Sequence, residues 1–129
     1  MTTYLFVTSP DYEPERVCID NVWWSCPEDA KDGETALVYV TGQGITYEWD
    51  LVSDSRPCRE KKWPYECDVQ YARTFDPPIA MKEIRAAITR EEWRRPYGNF
   101  QGIVDGVGIP ELAARRLRAM RGRGPLVSH

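Results

Sequence analysis

A chain of 129 residues, 42% hydrophobic and 29% charged, is long enough for one domain with a sizeable core and short for two. The net charge of −3 is unevenly spread: residues 110–129 carry five Arg against one Glu, leaving nineteen acidic and twelve basic groups in the rest. An acidic body argues against a general, charge-driven nucleic-acid binder, and with no apolar run of about 18 residues no membrane span or membrane partner is expected.

Met1 to Val7 lacks the basic n-region and long apolar stretch of a secretory leader, which points to the cytoplasm. Tyr4 to Val7 reads as a strand ending at Thr8-Ser9-Pro10. Asp11 to Asn21, broken by Pro14, reads as a short helix or turn leading to Trp23 and Trp24. Cys26 to Glu34 is a polar, turn-rich linker. Thr35 to Val40 is an apolar run that predicts a buried strand, and Ile45 to Ser53 alternates as the second arm of a hairpin. Asp54 to Pro64 is a basic loop. In Tyr65 to Phe75 the residues Tyr65, Cys67, Val69 and Tyr71 share one strand face, and Asp76-Pro77-Pro78 is expected to stop the strand, because proline cannot donate to a ladder.

Ile79 to Ile88 has helical spacing at 81, 84, 87 and 88. Thr89 and Glu92 make a capping-box signature for a further turn, with Trp93 as a core anchor. Residues 96–108 are glycine-rich without the spacing of a Rossmann or P-loop motif. Pro110 starts a helix over Glu111 to Met120, with Leu112, Arg116 and Ala119 on one side and a basic face at 115, 118 and 121. The expected fold is α/β (α+β): a small mixed sheet curled into a barrel, flanked by two or three helices. One domain covers residues 1–120, followed by a disordered basic tail over residues 121–129.

Cys18 and Cys26 are separated by seven residues, and Cys58 and Cys67 by eight; neither spacing fits a zinc knuckle, and free thiols are expected. The single histidine, His129, is terminal, which leaves no Cys-His pair and no His general base. No metal and no cofactor are expected. What stands out is tryptophan beside cations. Trp23 and Trp24 precede Ser25, and Trp63 lies among Arg56, Arg59, Lys61 and Lys62. Flat aromatic faces next to guanidinium and ammonium groups suit a stacked nucleobase and its phosphates. The patch from Arg56 to Lys62, and the one formed by Arg90, Arg94 and Arg95, each read alone as solvated surface.

In this order the elements resemble the EVE domain and its relative the YTH domain, both PUA-like. The resemblance spans about residues 4 to 120. It rests on Tyr4-Leu5-Phe6-Val7-Thr8-Ser9-Pro10, Val22-Trp23-Trp24-Ser25, the stretch from Gly33 to Tyr39, and Trp63-Pro64-Tyr65-Glu66-Cys67-Asp68-Val69. It continues through Pro77-Pro78-Ile79-Ala80-Met81-Lys82-Glu83-Ile84 and Asp105-Gly106-Val107-Gly108-Ile109-Pro110. It implies a PUA-like fold and a reader of modified bases in which aromatic walls form a cage around a flipped, methylated base. Trp24-Ser25 matches one wall, with Trp23 as its neighbour; Trp63 matches another, and Asp105 a place near the bound strand. Ser9 and Ser25 are candidate partners for the polar base edge. Arg56, Arg59, Lys61, Lys62, Arg94 and Arg95 are candidate contacts to the nucleic-acid backbone. A second loop tryptophan of some YTH readers has no counterpart between Asp54 and Lys62.

The leading expectation is a non-catalytic reader of methylated DNA, with 5-methylcytosine as the first candidate; any cleavage would need a separate nuclease or restriction-type partner. Flipping a base costs a few kcal/mol, and stacking between indoles returns about 1–3 kcal/mol per base. Other readings stay open. The ligand could be a methylated RNA, carrying N6-methyladenosine or a tRNA base. An ASCH-like hydrolase or nuclease would use Lys62, Glu66 and Asp68, although both carboxylates read as surface groups. The basic C-terminal helix could instead dock another protein.

Overall fold

The computed structural model describes residues 1–94, 100, 103 and 106–121. Its strands are β1 (Thr3–Thr8), β2 (Val22–Ser25), β3 (Thr35–Val40), β4 (Gly44–Leu51), β5 (Arg56–Pro57), β6 (Tyr65–Ile79) and β7 (Val107–Ile109). Two α-helices among the described residues, α1 (Met81–Ala87) and α2 (Glu111–Ala119), flank the sheet. The strand order is β2-β6-β4-β3-β1-β7, with β5 also on β6, and β1 runs parallel to β3 while the other pairs are antiparallel. The result is a curled mixed sheet, a half-barrel with the two helices against it. No helix among the described residues is long and apolar enough to cross a membrane.

Both faces of the central strands are buried, which explains why β3 reads as a continuous apolar run rather than an alternating one. Leu5, Leu37, Ile45 and Phe75 face Ile84, Leu117 and the helices. Tyr4, Phe6, Ala36, Val38, Trp49, Cys67 and Val69 form a second cluster on the opposite face. The expected shared face of β6 holds: Cys67 and Val69 lie in that cluster, with Tyr65 and Tyr71 packed against it. Trp93 is buried as expected, and its turn carries the expected capping bonds, Thr89 N–H to Glu92 Oε2 (2.8 Å) and Glu92 N–H to Thr89 Oγ1 (3.4 Å).

Several expectations are corrected. Asp76-Pro77-Pro78 does not end β6. Between the pairs Tyr47–Thr74 and Ile45–Ile79, residues 75–78 oppose Thr46 alone, so the prolines occupy a bulge where no ladder donor is required. The same extension places Ile79 in the strand and starts α1 at Met81. The linker after β2 is partly core, with Cys26 and Ala30 fully buried. On α2 the buried side is Ala113, Ala114 and Leu117, while Leu112 is 48% exposed.

The basic face of α2 is not free either. Arg118 donates to Glu48 Oε2 (2.7 Å), Thr3 Oγ1 (3.0 Å) and Thr35 Oγ1 (2.8 Å), and Arg116 pairs with Glu92 (3.0 Å). Arg121, assigned to the tail from sequence, is anchored to the Glu83 carboxylate at 2.7 Å and 2.8 Å and to the carbonyls of Pro77 and Pro78. Arg118 thus fixes the helix to the sheet and Arg121 ties its end to β6 and α1, whereas Arg115 stays 71% exposed, paired with Glu111 of its own helix at 3.2 Å. Residues 122–129 lie outside the described residues.

Gly44 opens β4 at φ 120°, and a Cβ there would lie 2.3 Å from the Ile79 carbonyl oxygen. Gly44→Ala therefore has to move backbone on both strands. An expected loss of roughly 2 kcal/mol is measurable by urea denaturation. An unchanged midpoint would show that the two strands can separate locally without cost.

Candidate functional site

β2 is an edge strand, paired with β6 alone, and its side chains alternate. Val22 and Trp24 pack on the second core cluster, where the Trp24 ring meets buried Trp49 edge-to-face at 4.9 Å. Trp23 and Ser25 take the other face, opposite Asp68 and Glu66 in register. The loop from Asp54 to Pro64 is tied to that outer face of β2 and β6.

Glu66 holds the loop. It is fully buried, which corrects its reading as a surface group. Arg56 donates to Glu66 Oε2 through Nε (2.7 Å) and to Asp68 Oδ1 through Nη2 (2.8 Å). Arg59 donates its backbone N–H to Glu66 Oε1 (2.9 Å) and Nη2 to Oε2 (2.8 Å). Burial alone would raise the Glu66 pKa, but the bonds from Arg59 and Arg56 outweigh it and hold the carboxyl at about 2. The hydrogen bond to Asp68 and the neighbouring charge of Glu66 raise Arg56 further above its ordinary value, against the opposing effect of burial.

With the loop fixed, its remaining side chains meet the aromatic edge. The Arg59 guanidinium lies over the Trp23 ring at 5.7 Å. Trp63 meets Trp23 at 6.2 Å and 67°, and Tyr12 at 5.9 Å and 73°. Lys62 Nζ sits 4.9 Å from the Trp63 ring and 5.0 Å from that of Tyr12, and donates to Tyr12 Oη at 2.6 Å. Tyr12 comes from a 3₁₀ turn over Pro10–Tyr12, capped by Ser9, whose Oγ accepts from Asp11 N–H at 3.1 Å. The rings therefore form a corner with near-perpendicular walls.

Ser9, Tyr12, Trp23, Trp24, Ser25 and Trp63 line one cleft of about 1220 Å³, together with Arg59, Lys62 and Asp68. That volume exceeds what a drug-sized ligand needs and is ample for one nucleotide. Both members of the tryptophan pair reach the cleft, Trp24 from the core side of β2 and Trp23 from the loop side. Arg56 is drawn into ion pairs with Glu66 and Asp68. Lys61 and Arg94 do not line the cleft; Arg94 borders a separate depression with Trp93 and Pro110. Arg95 and Asp105 lie outside the described residues.

Sequence reasoning missed Tyr12 as a wall and Glu66 as the anchor. A cap signal, Ser9 ahead of Pro10, marked the turn that presents Tyr12. Nothing local marked Glu66, since its partners lie seven and ten residues away. Among the described residues no group of three or more His, Cys, Asp or Glu is placed to hold a metal ion, and all four cysteines are unbridged.

No protein-family model matches the chain. No characterised protein matches it by sequence search. Solved structures match its fold. Protein Rpa0253 of Rhodopseudomonas palustris superposes with a TM-score of 0.73 at 12% identity, covering 100% of this chain and 97% of that one. Protein Atu2648 of Agrobacterium tumefaciens gives 0.71 at 14% identity, over 95% and 94% of the two chains. The human THYN1 protein, solved in complex with DNA containing 5-methylcytosine, gives 0.67 at 13% identity, over 97% and 100%. At such identities the likeness is one of fold.

Proposed function

We propose that this chain is a non-catalytic EVE-type reader of modified nucleic acid that receives a flipped, methylated base, 5-methylcytosine in DNA first, in the cleft beside β2. One observation carries the reading: Trp23, Trp24, Trp63 and Tyr12 converge on a single open cleft whose lip bears Arg59 and Lys62. A base lying flat on one indole meets the edge of the other, an arrangement as favourable for aromatic rings as offset stacking. Two cations at the lip of the cleft suit incoming phosphates, and the acidic remainder of the surface discourages binding elsewhere. The fold shared with THYN1, whose complex contains 5-methylcytosine DNA, supports the same ligand class.

A binding role also fits the state of the strongest catalytic candidates. Glu66 is buried under two arginines, and Lys62 is engaged with Tyr12 and Trp63. Cleavage in a restriction-type setting would fall to a separate nuclease.

The test is a pair of titrations on duplexes that differ only in one cytosine 5-methyl group. Burying that methyl is worth roughly 0.8 kcal/mol, so the methylated duplex is expected to bind at least about fourfold more tightly. Equal affinities would retire the methyl-reading role. Displacement of the methylated duplex by a single-stranded RNA bearing N6-methyladenosine, at lower concentration than unlabelled duplex needs, would move the ligand to RNA.

A further inference from the structure

A cleft that reads only a 5-methyl group on a pyrimidine has a difficulty: thymine carries the same methyl at the same carbon, and DNA is full of it. The two bases differ at position 4. Cytosine presents an amine that donates, and thymine presents a carbonyl oxygen that accepts. Aromatic walls and a methyl-sized apolar surface cannot tell them apart. A site built to hydrogen-bond one of them can, because the wrong base leaves a polar group unpaired or opposed.

We infer that Asp68 is the residue of this cleft that separates 5-methylcytosine from thymine, by accepting a hydrogen bond from the exocyclic amine of the flipped base. The inference rests on the cleft being a base site, as proposed above. Asp68 lines the cleft and stands directly opposite Trp23 in the β2–β6 register, so its carboxylate rises from the sheet beside the indole. Its side chain is 45% exposed. Arg56 Nη2 holds Oδ1 at 2.8 Å, and Ser53 Oγ accepts from the Asp68 N–H at 2.8 Å, so backbone and carboxylate are both fixed. Among the described residues Oδ2 accepts no hydrogen bond, which leaves an oriented acceptor for an incoming N–H.

Glu13 and Glu60 also line the cleft, but they stand exposed, outside the strands, with no hydrogen bond to their carboxylates among the described residues. A short side chain on a strand gated by an arginine is the more accurate acceptor. Against thymine the same oxygen would face the O4 lone pairs across a low-dielectric wall of indole, with no proton between them. Adenine, which also bears an amine at the corresponding edge, is admitted by this chemistry.

The experiment compares three duplexes of one sequence, with 5-methylcytosine·guanine, cytosine·guanine or thymine·guanine at the central position. The thymine mismatch is easier to flip, so a preference for 5-methylcytosine over it has to come from the site. Wild type is expected to bind 5-methylcytosine tighter than thymine by tenfold to a hundredfold, on the order of one good base contact. In Asp68→Asn, which can still accept from Arg56, that ratio is expected to fall towards one. Because the readout is a ratio within one variant, a reduced folded fraction does not alter it, and Asp68→Ser serves if the asparagine variant does not fold. A ratio unchanged in the variant overturns the role of Asp68 while the reader survives. So does a wild type that binds 5-methylcytosine and thymine alike. Equal binding of methylated and plain cytosine brings down the reader, and this inference with it.

Discussion

Trp63→Ala is expected to weaken binding of the methylated duplex by about 1–3 kcal/mol, the worth of one base–aromatic stack, while the thermal midpoint barely moves. The ring belongs to neither core cluster; its neighbours are Trp23, Tyr12 and Lys62, all of which line the cleft. Removing it leaves the sheet intact and strips Lys62 of one of its two aromatic partners, so charge steering weakens together with stacking. Trp24→Ala gives a different pattern, because that ring lines the cleft and also packs on fully buried Trp49 at 4.9 Å. It is expected to lose affinity and stability together. Trp49→Ala, at the centre of the second cluster, is expected to cost about 3–5 kcal/mol of stability and thereby report what a purely structural tryptophan looks like. Isothermal titration and differential scanning calorimetry on the three variants separate these cases. Full affinity in Trp63→Ala would remove the aromatic corner from the binding mechanism.

That three-way contrast was only half visible in the chain. The apolar run Thr35 to Val40, the alternation from Tyr65 to Tyr71 and the capping pair Thr89 and Glu92 are local patterns, and the fold follows them. The convergence of Trp23, Trp24, Ser25 and Trp63 on one cleft was anticipated through resemblance, since no local spacing brings residues 23 and 63 together. Misreadings arose where tertiary pairing overrides a local rule. Pro77 and Pro78 looked like a stop, yet a bulge opposite Thr46 lets β6 continue. The basic face at 115, 118 and 121 looked like a docking surface, yet Glu48 and Glu83 from other elements claim Arg118 and Arg121. Charge in a sequence shows how many ions there are; only the fold shows which of them remain unpaired.

Glu66 is the clearest case of that last point, and its removal is expected to cost both stability and affinity. Glu66→Ala leaves Arg56 and Arg59 without the carboxylate that joins them. Those guanidiniums are 36% and 65% exposed and can turn to water, so the cost is expected at the low end for a broken buried pair, about 3 kcal/mol. For a chain of this length that lowers the melting midpoint by on the order of 10 °C. Affinity should fall as well, since Arg59 is held over Trp23 by the same carboxylate.

The pH dependence has a definite sign. The folded pKa of about 2 lies below the ordinary 4.5, so the unfolded chain takes up the proton first as pH falls. The stabilisation is complete above about 4.5 and disappears between there and about 2. Other carboxylates titrate in this range, and Glu66→Gln cancels them by subtraction: it removes this charge and leaves theirs. The stability difference between wild type and Glu66→Gln, measured by denaturant unfolding at several pH values, is expected to be constant from pH 7 to about 5 and to shrink steadily below. A difference that stays flat down to pH 2.5 would mean that the carboxylate is not what fastens the Trp63 loop. The aromatic corner would then owe its geometry to the rings alone.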